Sequence, residues 1–232
     1  MKIVILQPGY LQWLGAYAQM DWSDTFVIYS DVSFDKNGWR NRNLIKTPQG
    51  SQWLTVPVLT KGRDFPLIKD VLINNDENWR DKHLKSIRQN YSKAAYFKNY
   101  IGMFEEIYSK EWKYLIDIDM AFIFALKDIL GIQTKIEYST GLHNWGDKFQ
   151  RLIDICIKLG ADEFLEGNAG KYYLDGEGER RFAESHIKLI YQNYHHPEYK
   201  QLYGAFIPYL SVIDLIFNNG KDSLNIIRKE NE

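Results

Sequence analysis

Residues 2–6 (Lys-Ile-Val-Ile-Leu) form a nearly continuous β-branched run, the pattern of a strand covered on both faces. Gln7-Pro8-Gly9 ends it, because proline withholds a backbone donor and glycine admits the turn. Leu11, Leu14, Tyr17 and Ala18 then recur at helical spacing, so the chain opens as strand, tight loop and helix. Residues 25–29 read as a second strand, stopped by Ser30-Asp31. Residues 39–43 (Trp-Arg-Asn-Arg-Asn) alternate, and Pro48-Gln49-Gly50 followed by residues 52–58 returns the chain as a β-hairpin. In such a strand Arg40 and Arg42 share a face.

A helical stretch follows. Leu84, Ile87, Tyr91 and Ala95 make one stripe, Ile101, Phe104, Tyr108 and Leu115 another, and residues 120–130 close at Gly131. Residues 134–138 read as a strand, and Phe149, Leu152, Ile153, Cys156 and Leu159 as an amphipathic helix ended by Gly160. Residues 163–166 and 186–191 read as strands around a glycine-bearing loop at 167–171. Ser211 caps a helix that runs through Phe217, and residues from 224 onward read as a polar, fraying tail. Strands alternating with helices predict an α/β fold: a mainly parallel, Rossmann-like sheet flanked by helices, with a β-hairpin insertion and a helical cap at roughly 78–131. No linker-like stretch divides residues 1–232, so one domain is expected.

Composition changes this picture little. Of 232 residues 45% are apolar and 15% aromatic, enough for a full core, and 29 Lys+Arg against 30 Asp+Glu leave a formal charge of −1. That balance supplies no field for nucleic acid or an anionic membrane, so neither is an expected partner. The single cysteine, Cys156, sits on an apolar stripe and fits a reducing compartment. No targeting segment and no apolar run approaching the roughly 20 residues of a membrane span is apparent, so a cytoplasmic location is expected.

Candidate chemistry concentrates in loops that a parallel sheet would place beyond its carboxyl ends. In the first, Gln7 and Gln12 offer hydrogen bonds, and Tyr10 and Trp13 offer rings for stacking or for the core edge. Lys36, Arg40, Arg42 and Lys46, with Trp39 among them, form the densest basic patch. They read either as a phosphate or sugar-nucleotide contact or as an exposed hairpin edge. Ser139, Thr140, His143, Asn144 and Lys148 gather donors at a strand-to-helix junction; His143 is a candidate general base, and helix capping explains the Ser, Thr and Asn equally well. Gly170 and Lys171 follow a strand without the spacing of a P-loop. His195 and His196 precede Pro197 with no third ligand in register, so no metal is expected and His196 reads as a pocket wall. Asp214, inside an apolar run, is either a buried partner for a basic residue or solvent-facing.

These segments resemble the WbqC-like family of bacterial proteins. The resemblance is carried by Gln7-Pro8-Gly9-Tyr10 with Trp13-Leu14-Gly15, by Gly38-Trp39-Arg40-Asn41-Arg42-Asn43, and by Gln52-Trp53-Leu54-Thr55-Val56-Pro57-Val58. Further along it is carried by Lys148 with Arg151-Leu152, Gly170-Lys171 with Tyr173-Leu174, His196-Pro197-Glu198-Tyr199 and residues 206–214. The sequence departs from the family's pattern in two places: Ala169 stands where it usually has Gly, and Leu11-Gln12 where it tends toward Phe-Pro. The resemblance implies a role in O-antigen (lipopolysaccharide) or other surface-polysaccharide biosynthesis.

Two functions follow as expectations. In the first, a transferase acylates or aminoacylates the amine of a nucleotide-linked sugar. Arg40, Arg42, Lys148 and Lys171 hold the diphosphate or a carboxylate, Tyr10 and Trp13 stack on base or sugar, and His143 or His196 takes the amine proton. Gln7, Trp39, Ser139 and Gly170 complete the expected binding set. In the second, the same pocket binds a glycan precursor, or scaffolds partner enzymes, without catalysis. The opening strand–loop–helix is similar to that of the nucleotidylyltransferase-like superfamily, so ATP is a candidate cofactor, although no His-x-x-His or His-x-Gly-His follows the first strand. No flavin signature is present.

Overall fold

The computed structural model describes residues 1–36, 38–59, 66–142, 145–174 and 176–229. The opening is β1 (Lys2–Leu6), α1 (Leu14–Asp21) and β2 (Thr25–Ile28), then the hairpin β3 (Arg42–Thr47) and β4 (Gly50–Thr55). Three long helices follow: α2 (Trp79–Tyr91), α3 (Phe97–Ser109) and α4 (Leu115–Leu130). The chain continues through β5 (Lys135–Tyr138), α5 (Lys148–Leu159), β6 (Glu163–Gly167), α6 (Lys171–Leu174), α7 (Glu177–Glu184) and β7 (Lys188–Gln192). It ends in α8 (Val212–Asn219) and α9 (Ser223–Arg228).

Five strands make one parallel sheet in the order β5-β2-β1-β6-β7, and β3-β4 is a separate antiparallel pair. The α/β class read from the sequence is the fold observed. Period-2 alternation sends side chains of one strand to two different cores. Val4, Phe26, Ile28 and Leu165 join the larger cluster, built with α1, α2, α3, α4 and α8. Ile3, Ile5, Val27 and Phe164 join the smaller one, built with α5 and α7. Both faces are covered, which is why β1 reads as an unbroken apolar run.

The topology fixes where a ligand can enter. The chain adds β2 and β5 on one side of β1, then crosses to add β6 and β7 on the other. The direction of winding therefore reverses between β1 and β6, and the loops leaving their carboxyl ends part there into a crevice.

Four local expectations are corrected. Strand β3 starts at Arg42, so Arg40 lies before it and the two arginines do not share a strand face. The backbone at 40–41 is held elsewhere: Tyr10 N–H donates to the Arg40 carbonyl at 2.9 Å and Val56 N–H to that of Asn41 at 2.8 Å. The glycine-bearing loop at 167–171 is shorter than expected, a 3-10 turn at Asn168–Gly170 that runs directly into α6 at Lys171. Residues 186–191 shift to β7, because His186 takes a left-handed φ of 58°. The expected fraying tail is helix α9, whose Ile227 is fully buried. Among the described residues no helix is long and apolar enough to cross a membrane.

Candidate functional site

A cavity of about 450 Å³ lies at the reversal point, floored by Ile5, Leu6 and Gln7 at the end of β1 and by Glu166 near the end of β6. Tyr29 and Val32 enter from the segment after β2, Gly146 from the loop before α5, Lys148, Arg151 and Leu152 from its start, and Tyr173 from α6. Arg40 closes it from the chain before the hairpin. A second cavity, of about 260 Å³, adjoins it across Leu6 and Arg40, which line both, and adds Gly9, Gln12, Trp13, Ala16, Trp39, Asn43 and Tyr209. One compartment is therefore cationic and the other aromatic, with Arg40 on the partition.

Arg40 is fixed by the first loop. Its Nη1 donates to the carbonyls of Gln7 at 3.0 Å and Pro8 at 3.5 Å. Burial pulls its pKa down, and the charges of Asp119 and Asp35 oppose this; an arginine so placed stays protonated. Lys148 and Arg151 sit three residues apart on α5, hence on one face of its first turn. The α5 N-terminus is capped by Asp147. Asp147 accepts from Phe149 N–H at 3.0 Å and Gln150 N–H at 2.9 Å, and it pairs with Arg181 at 2.6 Å. Anion attraction here therefore comes from side chains, not from free helix amides. Arg151 is steadied by Asp31, whose carbonyl takes its Nη2 at 2.7 Å, and its Nε is buried without a partner.

Glu166 is the carboxylate of the cationic compartment. It accepts from Gly167 N–H at 2.8 Å and from the Tyr173 hydroxyl at 2.6 Å. Burial pushes its pKa above the ordinary carboxylate value, against those two hydrogen bonds. A carboxylate whose proton affinity is raised beside a cleft is suited to taking up a proton there.

The aromatic compartment is shaped by α1 and the 209–212 segment. A bridge between Trp13 and Ser211, with Val212 N–H on the Gln12 carbonyl at 3.0 Å, sets Tyr209 opposite Trp13 at a ring separation of 5.8 Å. Gly15 lets the Trp13 indole lie back over α1, since a Cβ there would fall 2.2 Å from the ring. Leu11 and Tyr209 carry left-handed φ values of 46° and 60°, strain that flanks this cavity on both sides.

The expected site residues divide. Gln7, Arg40 and Lys148 line the cationic cavity, and Trp13, Trp39 and Arg40 the aromatic one. Tyr10 does not stack on a ligand: it is fully buried, bonded to His83 Nδ1 at 2.9 Å and to the Tyr108 hydroxyl. Arg42 turns away, its guanidinium 4.6 Å over the Trp53 ring and its Nε on the Gly38 carbonyl. Ser139 is buried beneath the cleft, where its hydroxyl meets Asp31 and the Ser30 N–H. Lys171 lies 5.5 Å over Tyr191 and lines neither cavity. Gly170 acts through Glu166, for a Cβ at 170 would come 2.1 Å from that residue's Cγ. His196 stands behind the aromatic wall, stacked on Trp13 at 6.4 Å with 21° between the rings; burial lowers its pKa and keeps it neutral. His143 lies outside the described residues. The basic patch also disperses, because Lys46 is buried, with Nζ donating to Gln201 Oε1 at 2.8 Å and to the Ala205 carbonyl at 2.6 Å.

Reading from sequence missed Arg151 and Glu166. The first was detectable as the helical neighbour of Lys148. The second had no local signal, since a Glu at the end of a strand is usually only a surface residue. Among the described residues no three His, Cys, Asp or Glu side chains gather to hold a metal.

Fold and site together define a class: a parallel α/β protein with a cationic crevice at its winding reversal and an aromatic chamber beside it. The model of the WbqC-like protein family matches residues 7–226, and the chain belongs to that family. An uncharacterized protein of Mycobacterium tuberculosis, Rv1507c, is 35% identical over 229 residues, which span 98% of this chain and 97% of that protein. No solved structure matches the chain.

Proposed function

We propose that the protein binds a nucleotide-linked amino sugar and transfers an acyl or aminoacyl group to its amine, in surface-polysaccharide biosynthesis. The observation that carries this reading is the cluster of Arg40, Lys148 and Arg151 around a single cavity that continues into the aromatic chamber. Arginine forks match the paired oxygens of a diphosphate, and lysine adds a point charge. Trp13, Trp39 and Tyr209 offer flat apolar surface for a base or sugar ring. The polysaccharide setting is what the family resemblance implies.

Glu166 takes the catalytic role expected of a histidine. Its carboxylate accepts the proton of the sugar amine as the nitrogen lone pair attacks the acyl carbon. The new C–N bond forms, and the donor's leaving group departs with the electron pair of the broken bond. The donor is an activated carboxyl compound, such as a thioester or an acyl adenylate.

Titration calorimetry with nucleoside diphosphates and their amino-sugar conjugates tests binding, and mass spectrometry after incubation with acyl donors tests transfer. Binding that weakens in Arg40→Ala and Lys148→Ala, and product that disappears in Glu166→Gln with binding kept, are the expected results. Absence of binding at millimolar ligand overturns the reading. Tight binding with no product from any donor favours the non-catalytic alternative, which the exposed faces of Trp39 and Tyr209 also suit.

A further inference from the structure

We infer that Ser139 is a positioning residue for the anion: its hydroxyl fixes Asp31, and Asp31 sets where the Arg151 guanidinium stands at the cationic cavity. This rests on the reading above that the cavity holds a diphosphate. Three elements meet in the contact. Ser139 follows β5, Asp31 lies in the segment after β2, and Arg151 is on α5. Ser139 is fully buried, and its N–H donates to the Ile28 carbonyl at 3.0 Å. Its hydroxyl accepts from Ser30 N–H at 3.3 Å and donates to Asp31 Oδ1. A carboxylate held by a hydroxyl that is itself anchored between two strand ends has little freedom to turn.

Asp31 then has one carboxylate oxygen left for Arg151. That Oδ2 lies 3.4 Å from Nη2, and the Asp31 carbonyl accepts from the same Nη2 at 2.7 Å. The Tyr29 ring packs 5.5 Å from the guanidinium carbon. The ion pair is thus one-pronged, where an arginine and an unengaged carboxylate can pair through two parallel bonds. Nη2 is committed to Asp31 and Nε is buried without a partner, whereas Nη1 makes no hydrogen bond among the described residues. Nη1 is therefore the donor that Arg151 keeps for an anion in the cavity it lines. Without the Ser139 hydroxyl, both Asp31 oxygens are released to grip the guanidinium and turn it from the ligand.

The test is calorimetric titration of the full-length protein with UDP and with inorganic pyrophosphate, which presents the diphosphate without base or sugar. Ser139→Ala is expected to weaken binding about three- to tenfold, and Arg151→Gln at least about tenfold. In the Arg151→Gln background Ser139→Ala is expected to change nothing further, because its effect passes through the arginine. Losses that add in full overturn the inference, since general damage to the crevice would behave that way. Asp31→Asn is an independent arm, informative even if Ser139→Ala folds poorly. A carboxylate that aims Arg151 predicts weaker binding in this variant, whereas one that only repels the anion predicts tighter binding. Tighter or unchanged binding in Asp31→Asn overturns the inference. Wild-type affinity in Ser139→Ala does so too and leaves the nucleotide reading intact. An unaltered protein that binds neither UDP nor pyrophosphate overturns both.

Discussion

His83 donates to the Thr55 carbonyl, which leaves its Nδ1 to accept from the Tyr10 hydroxyl, and Tyr10 in turn meets Tyr108. Tyr10→Phe strands both neighbours and is expected to cost about 1–3 kcal/mol in urea unfolding, with nucleotide affinity unchanged. A loss of affinity without loss of stability would return Tyr10 to the ligand. Gly170 makes the complementary case. Gly170→Ala is expected to push Glu166 out of place and, like Glu166→Gln, to lower turnover by about 10²-fold or more while binding persists. An alanine variant with wild-type turnover would show that Glu166 is not the base. The placement of Gln7, Trp13, Arg40 and Lys148 at the cleft was legible because loops leaving the carboxyl ends of parallel strands converge there. Tyr10, Ser139 and Lys46 misled because a polar group can be satisfied in the interior, and nothing local says which way it turns.

At the scale of elements, periodicity located β1, the three long helices and α5, because each buries a face wide enough to leave a repeat in the sequence. It failed at α9, whose six residues carry too few apolar positions for a pattern and are held helical by docking on α1 and α8. Ile227 is fully buried there, whereas the Arg228–Asp21 pair joins a half-exposed guanidinium to a carboxylate at 2.8 Å. Burial should outweigh the ion pair. Ile227→Ala is expected to destabilise by about 2–5 kcal/mol and Arg228→Ala by less than about 1 kcal/mol, both read from urea midpoints. The reverse order would mean that α9 is tethered by charge and its apolar side is incidental. The hairpin failed more subtly: alternation at 39–43 was real, but the strand began three residues late because the backbone there bonds to the first loop. That displacement is what carries Arg40 onto the partition between the two cavities.

The whole molecule stores two opposed titrations in its larger core. Asp214 is fully buried, with Tyr91 donating to it at 2.9 Å, and burial pushes its pKa up to about 6 despite that bond, Tyr199 and the charge of Lys46. His83 is buried as well, and burial pushes it down to about 4. An acid raised in the folded state holds its proton longer than the unfolded chain does. Its contribution to stability is therefore full below the unfolded value near 3.8 and is lost as pH rises through about 6. A base lowered in the folded state does the opposite: its contribution is present above 6.5 and is lost as pH falls through about 4. Between pH 4 and 6 the two slopes, each about 1.4 kcal/mol per pH unit, offset one another. Relative to the wild type, Asp214→Asn should gain stability as pH climbs across that window, and His83→Gln should lose it. Asp119, which burial also pushes upward, is common to all three proteins and drops out of the differences. Urea unfolding at pH 4, 5, 6 and 7 measures both, and curves for the two variants that run parallel to the wild type would mean that neither group titrates in the folded core.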